Sequence, residues 1–140
     1  MKVFAAIFAL VVIFQTSTTT IKTTEKRTIT VTVPNVTSNE GEVRYALYNK
    51  KDFMKKPLQS VSSKVKGKKS TVIFVDVEPG EYAVICFHDA NNNNEMDFEG
   101  NGMPLESYGV SNNPMSFGPP QYDEAKFEVA DKDVTLEIKF

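Results

Sequence analysis

Thr71-Val72-Ile73-Phe74-Val75-Asp76-Val77, Glu78-Pro79-Gly80-Glu81 and Tyr82-Ala83-Val84-Ile85-Cys86-Phe87 read as two short apolar runs with a break between them. Each run is too short for a helix and rich in β-branched and aromatic residues, which is the pattern of buried strands. Both are apolar on their two faces in the middle, so each is expected as a central strand of a packed sheet. Pro79 fixes φ and Gly80 supplies a positive φ, so the two are expected to pair as a hairpin.

Working outward, the period of two recurs. Thr28, Thr30 and Thr32 alternate with Ile29, Val31 and Val33 until Pro34-Asn35 stops the ladder. Glu42 to Tyr48 places Val43, Tyr45 and Leu47 on one side and Arg44 and Ala46 on the other. These first two strands are expected to be neighbours. Lys50 to Leu58 lacks a period and reads as a loop or a single turn. Gln59 to Lys66 is a weaker strand whose Lys64 and Lys66 suit an exposed sheet edge. Ala125 to Ala130 and Val134 to Phe140 alternate again around Asp131-Lys132-Asp133. Seven strands and no helix make an all-β chain, and the turn spacing predicts an antiparallel two-sheet sandwich.

A chain of 140 residues with 41% hydrophobic and 24% charged residues holds one domain with one core and is not disordered. Residues 1–19 read as a secretory leader: Lys2, an apolar run from Val3 to Phe14, then small polar residues. The run is shorter than the roughly 20 residues a membrane-spanning helix needs. Residues 20–140 are then a single exported domain, periplasmic or secreted, with no transmembrane span in the mature chain. Cys86 is the sole cysteine, so no disulfide can form within the chain, and its apolar neighbours mark it as a buried thiol.

Charge is divided along the chain. Ser70 to Ala125 carries ten acids and no Lys or Arg, whereas Asn49 to Ser70 carries eight lysines against Asp52. The basic stretch, with Lys64, Lys66, Lys68 and Lys69, suits edge protection or attachment to an anionic glycan. There is no broad basic face for nucleic acid and no Gly-rich phosphate loop.

The 35 residues from His88 to Tyr122 form a long connection expected to lack secondary structure, which is rare unless it is functional or held by something. It begins His88-Asp89-Ala90-Asn91-Asn92-Asn93-Asn94-Glu95-Met96-Asp97-Phe98-Glu99-Gly100. Counted from Asp89 as position 1, side-chain oxygens recur at Asn91, Asn93 and Asp97, with Glu95 offering its carbonyl at position 7. That alternation gathers hard oxygen ligands on one side of a tight loop, as calcium loops do. Position 6 is Asn94 where Gly is usual, and position 12 is Gly100 where a bidentate Glu is usual, so Glu99 or Glu106 would supply the last ligand. So few carboxylates imply weak affinity for Ca²⁺, around 10⁻⁴ to 10⁻³ M. The same oxygens also suit Asx turns with no metal.

His88 is the only histidine, which excludes sites needing two imidazoles. It reads as an orienting residue at a strand end. A small hydrolase or isomerase using His88 with Asp89 or Glu106 is the alternative. Beyond the loop, His88, Tyr108, Phe117 and Tyr122 make a candidate ligand surface, or else the segment is a lid packed on the sandwich edge.

Gly80-Glu81-Tyr82-Ala83-Val84, Phe87-His88-Asp89, the Asn-rich loop with Asp97, Glu106-Ser107-Tyr108-Gly109-Val110-Ser111-Asn112-Asn113 and Phe117-Gly118-Pro119-Pro120 together resemble the DUF2141 family of uncharacterised bacterial exported proteins. The resemblance spans nearly the whole mature chain. The family typically carries Gly in its Asn/Asp-rich loop, where Asn94 and its neighbours stand here. The resemblance implies an exported immunoglobulin-like or transthyretin-like sandwich and no known activity, substrate or partner. The overall expectation is a non-enzymatic structural or binding module at the cell envelope, with an envelope glycan or protein as partner.

Overall fold

The computed structural model describes residues 25–140. The leader expected over residues 1–19 lies outside the described residues. The chain forms β1 (Arg27–Val33), β2 (Glu42–Tyr48), β3 (Gln59–Lys64), β4 (Ser70–Val77), β5 (Gly80–Asp89), β6 (Tyr108–Val110), the single-turn α1 (Tyr122–Ala125), β7 (Phe127–Val129) and β8 (Val134–Glu137). A three-stranded sheet in the order β4-β1-β8 packs on a larger sheet in the order β3-β2-β5-β6, with β7 pairing β5. The two-sheet all-β sandwich stands. One pair departs from the antiparallel rule, because β8 returns alongside β1 in parallel.

The period of two places the core. Ile29, Val31 and Val33 of β1 meet Val43, Tyr45 and Leu47 of β2 and Val84 and Cys86 of β5, with Phe74 and Ile138 completing the layer. Each of these side chains removes apolar surface from water at roughly 25 cal/mol per Å². Odd-numbered residues of β5 face the other way, where Ala83 packs with Val110, Tyr122 and Ala125 beneath Phe53, Ile85 and Tyr108. The outer face of the larger sheet is therefore roofed over β5 and β6 by α1 and Phe53.

Several sequence expectations are corrected here. β1 and β2 are not neighbours: β1 pairs β4 and β8, whereas β2 pairs β3 and β5. β4 is an edge strand and not a central one, and Ile73 and Val75 are exposed on its outer face. Their β-branched shape favours a strand even where nothing covers it. A bulge also breaks the alternation, since Arg27 pairs Val77 but Ile29 pairs Phe74, and Asp76 takes a positive φ of 56°. That extra residue turns Val77 to the core side with Phe74 and Val72.

β4 and β5 do not form a hairpin. They belong to different sheets, and Glu78-Pro79 is an arch between the layers, held by Tyr82, whose hydroxyl donates to the Glu78 carbonyl at 2.8 Å. Pro79 cannot take the positive φ that tight two-residue hairpin turns need, and Gly80 does not adopt the expected positive φ. The connection after His88 is not without structure either. Asp89 still belongs to β5, β6 arises inside the insertion, and Phe98 bridges Pro104, so the described residues hold eight strands and not seven. The expected edge position of β3 is observed.

Candidate functional site

Strand pairing brings Glu42 opposite Asp89 and Arg44 opposite Phe87 on the outer face of the larger sheet. Asp89 is 0% exposed. Its Oδ2 accepts from Arg44 Nε and from the Asn94 amide, both at 2.9 Å, and its Oδ1 accepts from the Asn93 amide at 3.1 Å. Arg44 also pairs with Glu42 at 2.6 Å and donates to the Asn94 carboxamide oxygen. Burial pushes the Asp89 carboxyl up, but the Arg44 hydrogen bond, the Asn94 and Asn93 amides and the Arg44 charge outweigh it, leaving the carboxyl below the ordinary carboxylate value. Asp89, first in the expected ligand set, thus spends both oxygens on organising the loop.

From that anchor the chain winds through successive Asx turns. Asn91 Oδ1 accepts from the Asn93 amide at 3.1 Å, and Asn93 Oδ1 accepts from the Glu95 amide at 3.0 Å. Asn92 and Asn94 adopt positive φ of 57° and 69°, a conformation Asn tolerates, so Asn94 serves where Gly would be usual. The Asn91 and Asn93 carboxamides both converge on Asp97: Asn91 Nδ2 lies 2.8 Å from Oδ2, and Asn93 Nδ2 lies 2.9 Å from Oδ1. The Asp97 amide donates to Glu106 Oε2 at 3.3 Å, and among the described residues the buried Glu106 Oε1 has no hydrogen-bond partner.

Asn91, Asn93, Asp97 and Glu106 are therefore brought together. Glu95 is exposed, and Glu99 belongs to a separate turn, where it accepts from Asn101 and its amide bonds Met103. Among the described residues, no three of His, Cys, Asp and Glu gather closely enough to hold a metal on their own. The carboxamide nitrogens face Asp97, so a cation here would require Asn91 and Asn93 to leave their Asx turns and bring their oxygens round to Asp97 and Glu106.

His88 is 3% exposed and points to the core side of the sheet. Nδ1 lies 3.1 Å from Thr37 Oγ1, and Nε2 lies 2.7 Å from the Glu40 carbonyl. Both ring nitrogens tie β5 to the β1–β2 loop. Gly41 in that loop, at φ 68°, lies so close to the Asp89 carbonyl that a Cβ would overlap it.

The aromatic residues do not form one surface. Tyr122 is buried, its ring 5.4 Å from Phe53 and its hydroxyl donating to the Glu81 carbonyl at 2.9 Å. Tyr108 packs into the same cluster, while Phe117 stands fully exposed with Met115 on the irregular stretch between β6 and α1. Arg44 is the residue that sequence reasoning missed. Its only signal was a lone arginine on the outward face of β2, two strand positions from Glu42.

The fold and this loop define a small two-sheet β-sandwich whose largest insertion is an Asx-turn loop anchored on a half-buried Arg–Asp pair. The family described as "Uncharacterized protein conserved in bacteria (DUF2141)" matches residues 31–137, and the chain belongs to it. No curated protein and no solved structure matches the chain. Among the described residues no helix is long and apolar enough to cross a membrane.

Proposed function

We propose that the protein is an exported, non-enzymatic β-sandwich serving as a structural or binding module at the cell envelope, with its Asn-rich loop closed by a weakly bound Ca²⁺. The observation that carries the metal is Glu106: a carboxylate oxygen buried without a partner beside Asp97, where the loop spacing lacks its final glutamate. Such an orphaned oxygen is costly unless something satisfies it. Asp97 and Glu106 would hold the ion, with Asn91 and Asn93 turning their carboxamides so that oxygen replaces nitrogen toward Asp97, and the ion would supply charge neutralisation and a cross-link across the insertion. Two carboxylates and two amides suit a hard cation at the weak end of the calcium range.

The non-enzymatic reading is supported by His88, whose two ring nitrogens are committed inside the fold. A Ca²⁺ titration followed at the side-chain amide signals of Asn91 and Asn93 tests the proposal. Saturable shifts with a midpoint of about 10⁻⁴ to 10⁻³ M, abolished by Glu106→Gln together with Asp97→Asn, are expected. No shift at about 10⁻² M, well above that range, overturns it.

A further inference from the structure

Among the described residues, the outer face of the larger sheet is covered over β5 and β6 but bare over β3 and the adjoining half of β2. There the pairing Ser60–Ala46–Ile85 forms a row of small and apolar side chains, with Ser62, Arg44 and Phe87 forming the next row. Ala46 leaves a depression between taller neighbours. The result is an open-sided cleft of about 340 Å³ walled by Tyr48 and Pro57 at one end and by Phe87, Arg44 and Asn94 at the other.

We propose that this cleft binds a neutral carbohydrate. Among the described residues no carboxylate lines it, which removes the attraction a cationic ligand needs. Its one cationic side chain, Arg44, is already neutralised by Asp89 and Glu42, so the cleft carries no free charge for an anion. A purely apolar ligand would leave the Ser60 and Ser62 hydroxyls and the Asn94 carboxamide nitrogen covered and unpaired, at a cost per group that opposes binding. What remains is a ligand with an apolar C–H face for Tyr48 and Phe87 and hydroxyls for Ser60, Ser62 and Asn94. The volume lies at the small end of known ligand sites, roughly 300–1,000 Å³. The inference does not rest on calcium, because Asp89 and Arg44 hold Asn94 at the rim without it.

Titration of the ¹⁵N-labelled protein with maltose, cellobiose and N,N′-diacetylchitobiose, each to about 20 mM so that even a millimolar site fills, tests it. Saturable shifts confined to Ala46, Ser60, Ser62, Ile85 and Phe87 with at least one sugar are expected. Ser60→Trp, an exposed position that leaves the core alone, should abolish them, and sodium sulfate should not reproduce them. Absence of cleft shifts with all three sugars overturns the proposal, as does their persistence in Ser60→Trp. Equal response to sulfate would make the cleft an anion site and overturn it equally.

Discussion

Arg44 Nε on β2 donates to Asp89 Oδ2 at the end of β5 across 2.9 Å, and the same carboxylate holds two amides of the Asn-rich loop. One ion pair thus fastens the insertion to the sheet. Because Asp89 is wholly buried and Arg44 is partly exposed, removing either partner is asymmetric in its cost.

Asp89→Ala is expected to destabilise the fold by about 2 to 4 kcal/mol, since it removes the buried acceptor shared by Arg44 and two loop amides and leaves a cavity. Arg44→Met should cost less, because the two amides remain on Asp89. Urea midpoints for the two variants check the order.

Acid should weaken the protein through the same group. The folded carboxyl of Asp89 lies below its ordinary value of 3.8, so its contribution is present above about pH 4 and is lost as pH falls further through the lowered folded value. Stability measured from pH 7 to pH 2 should fall on that limb, and the fall should be shallower in Asp89→Asn.

Tyr45 predicts the opposite limb. Its hydroxyl is buried, and burial raises its pKa well above 10.0, as burial also raises Cys86 above 9.0. Both groups keep their protons in the folded state while the unfolded chain releases them, so stability declines as pH rises above about 9. Among the described residues the hydroxyl has no good hydrogen-bond partner, and Tyr45→Phe should be neutral or stabilising by up to about 1 kcal/mol at pH 7. The same variant should flatten the alkaline decline, and Cys86 should react with a thiol reagent only on unfolding.

Two glycines with similar dihedrals should behave differently. Gly67, at φ 57°, has open space around its missing Cβ, so Gly67→Ala pays only backbone strain of about 1 to 2 kcal/mol. Gly41, at φ 68°, abuts the Asp89 carbonyl, and Gly41→Ala should cost more than that and displace the loop. Paired denaturation curves, with the Asn94 amide signal as a loop reporter, separate strain from overlap.

The strands were legible because a half-buried strand writes its burial into alternate residues. Ile29, Val31 and Val33, and Val43, Tyr45 and Leu47, fall on the core side as the period demands. Strand partnership was not legible, because Val72 to Val77 carries apolar residues on both faces whether or not both are covered, and the Asp76 bulge is invisible in composition. Glu78-Pro79-Gly80 reads alike as a hairpin turn and as an arch between sheets. In the insertion, the spacing of Asp89, Asn91, Asn93 and Asp97 announced a tight turn series, and Asx turns are what the loop contains. The Arg44 anchor comes from a distant strand, and only the pairing of β2 with β5 brings it there. Tyr122 and Phe117 looked equivalent in sequence, yet α1 buries one while leaving the other in solvent.

Thermal unfolding of the EDTA-treated protein, with and without Ca²⁺ and with Mg²⁺ as control, bears most directly on the proposed ion-closed loop. A ligand bound only by the folded state raises the midpoint by mass action, so Ca²⁺ at about ten times a 10⁻³ M dissociation constant should add about 1.4 kcal/mol. The account predicts that calcium-specific rise, and its loss in Glu106→Gln with Asp97→Asn. An unchanged midpoint at that concentration, or an equal rise with Mg²⁺, would contradict it.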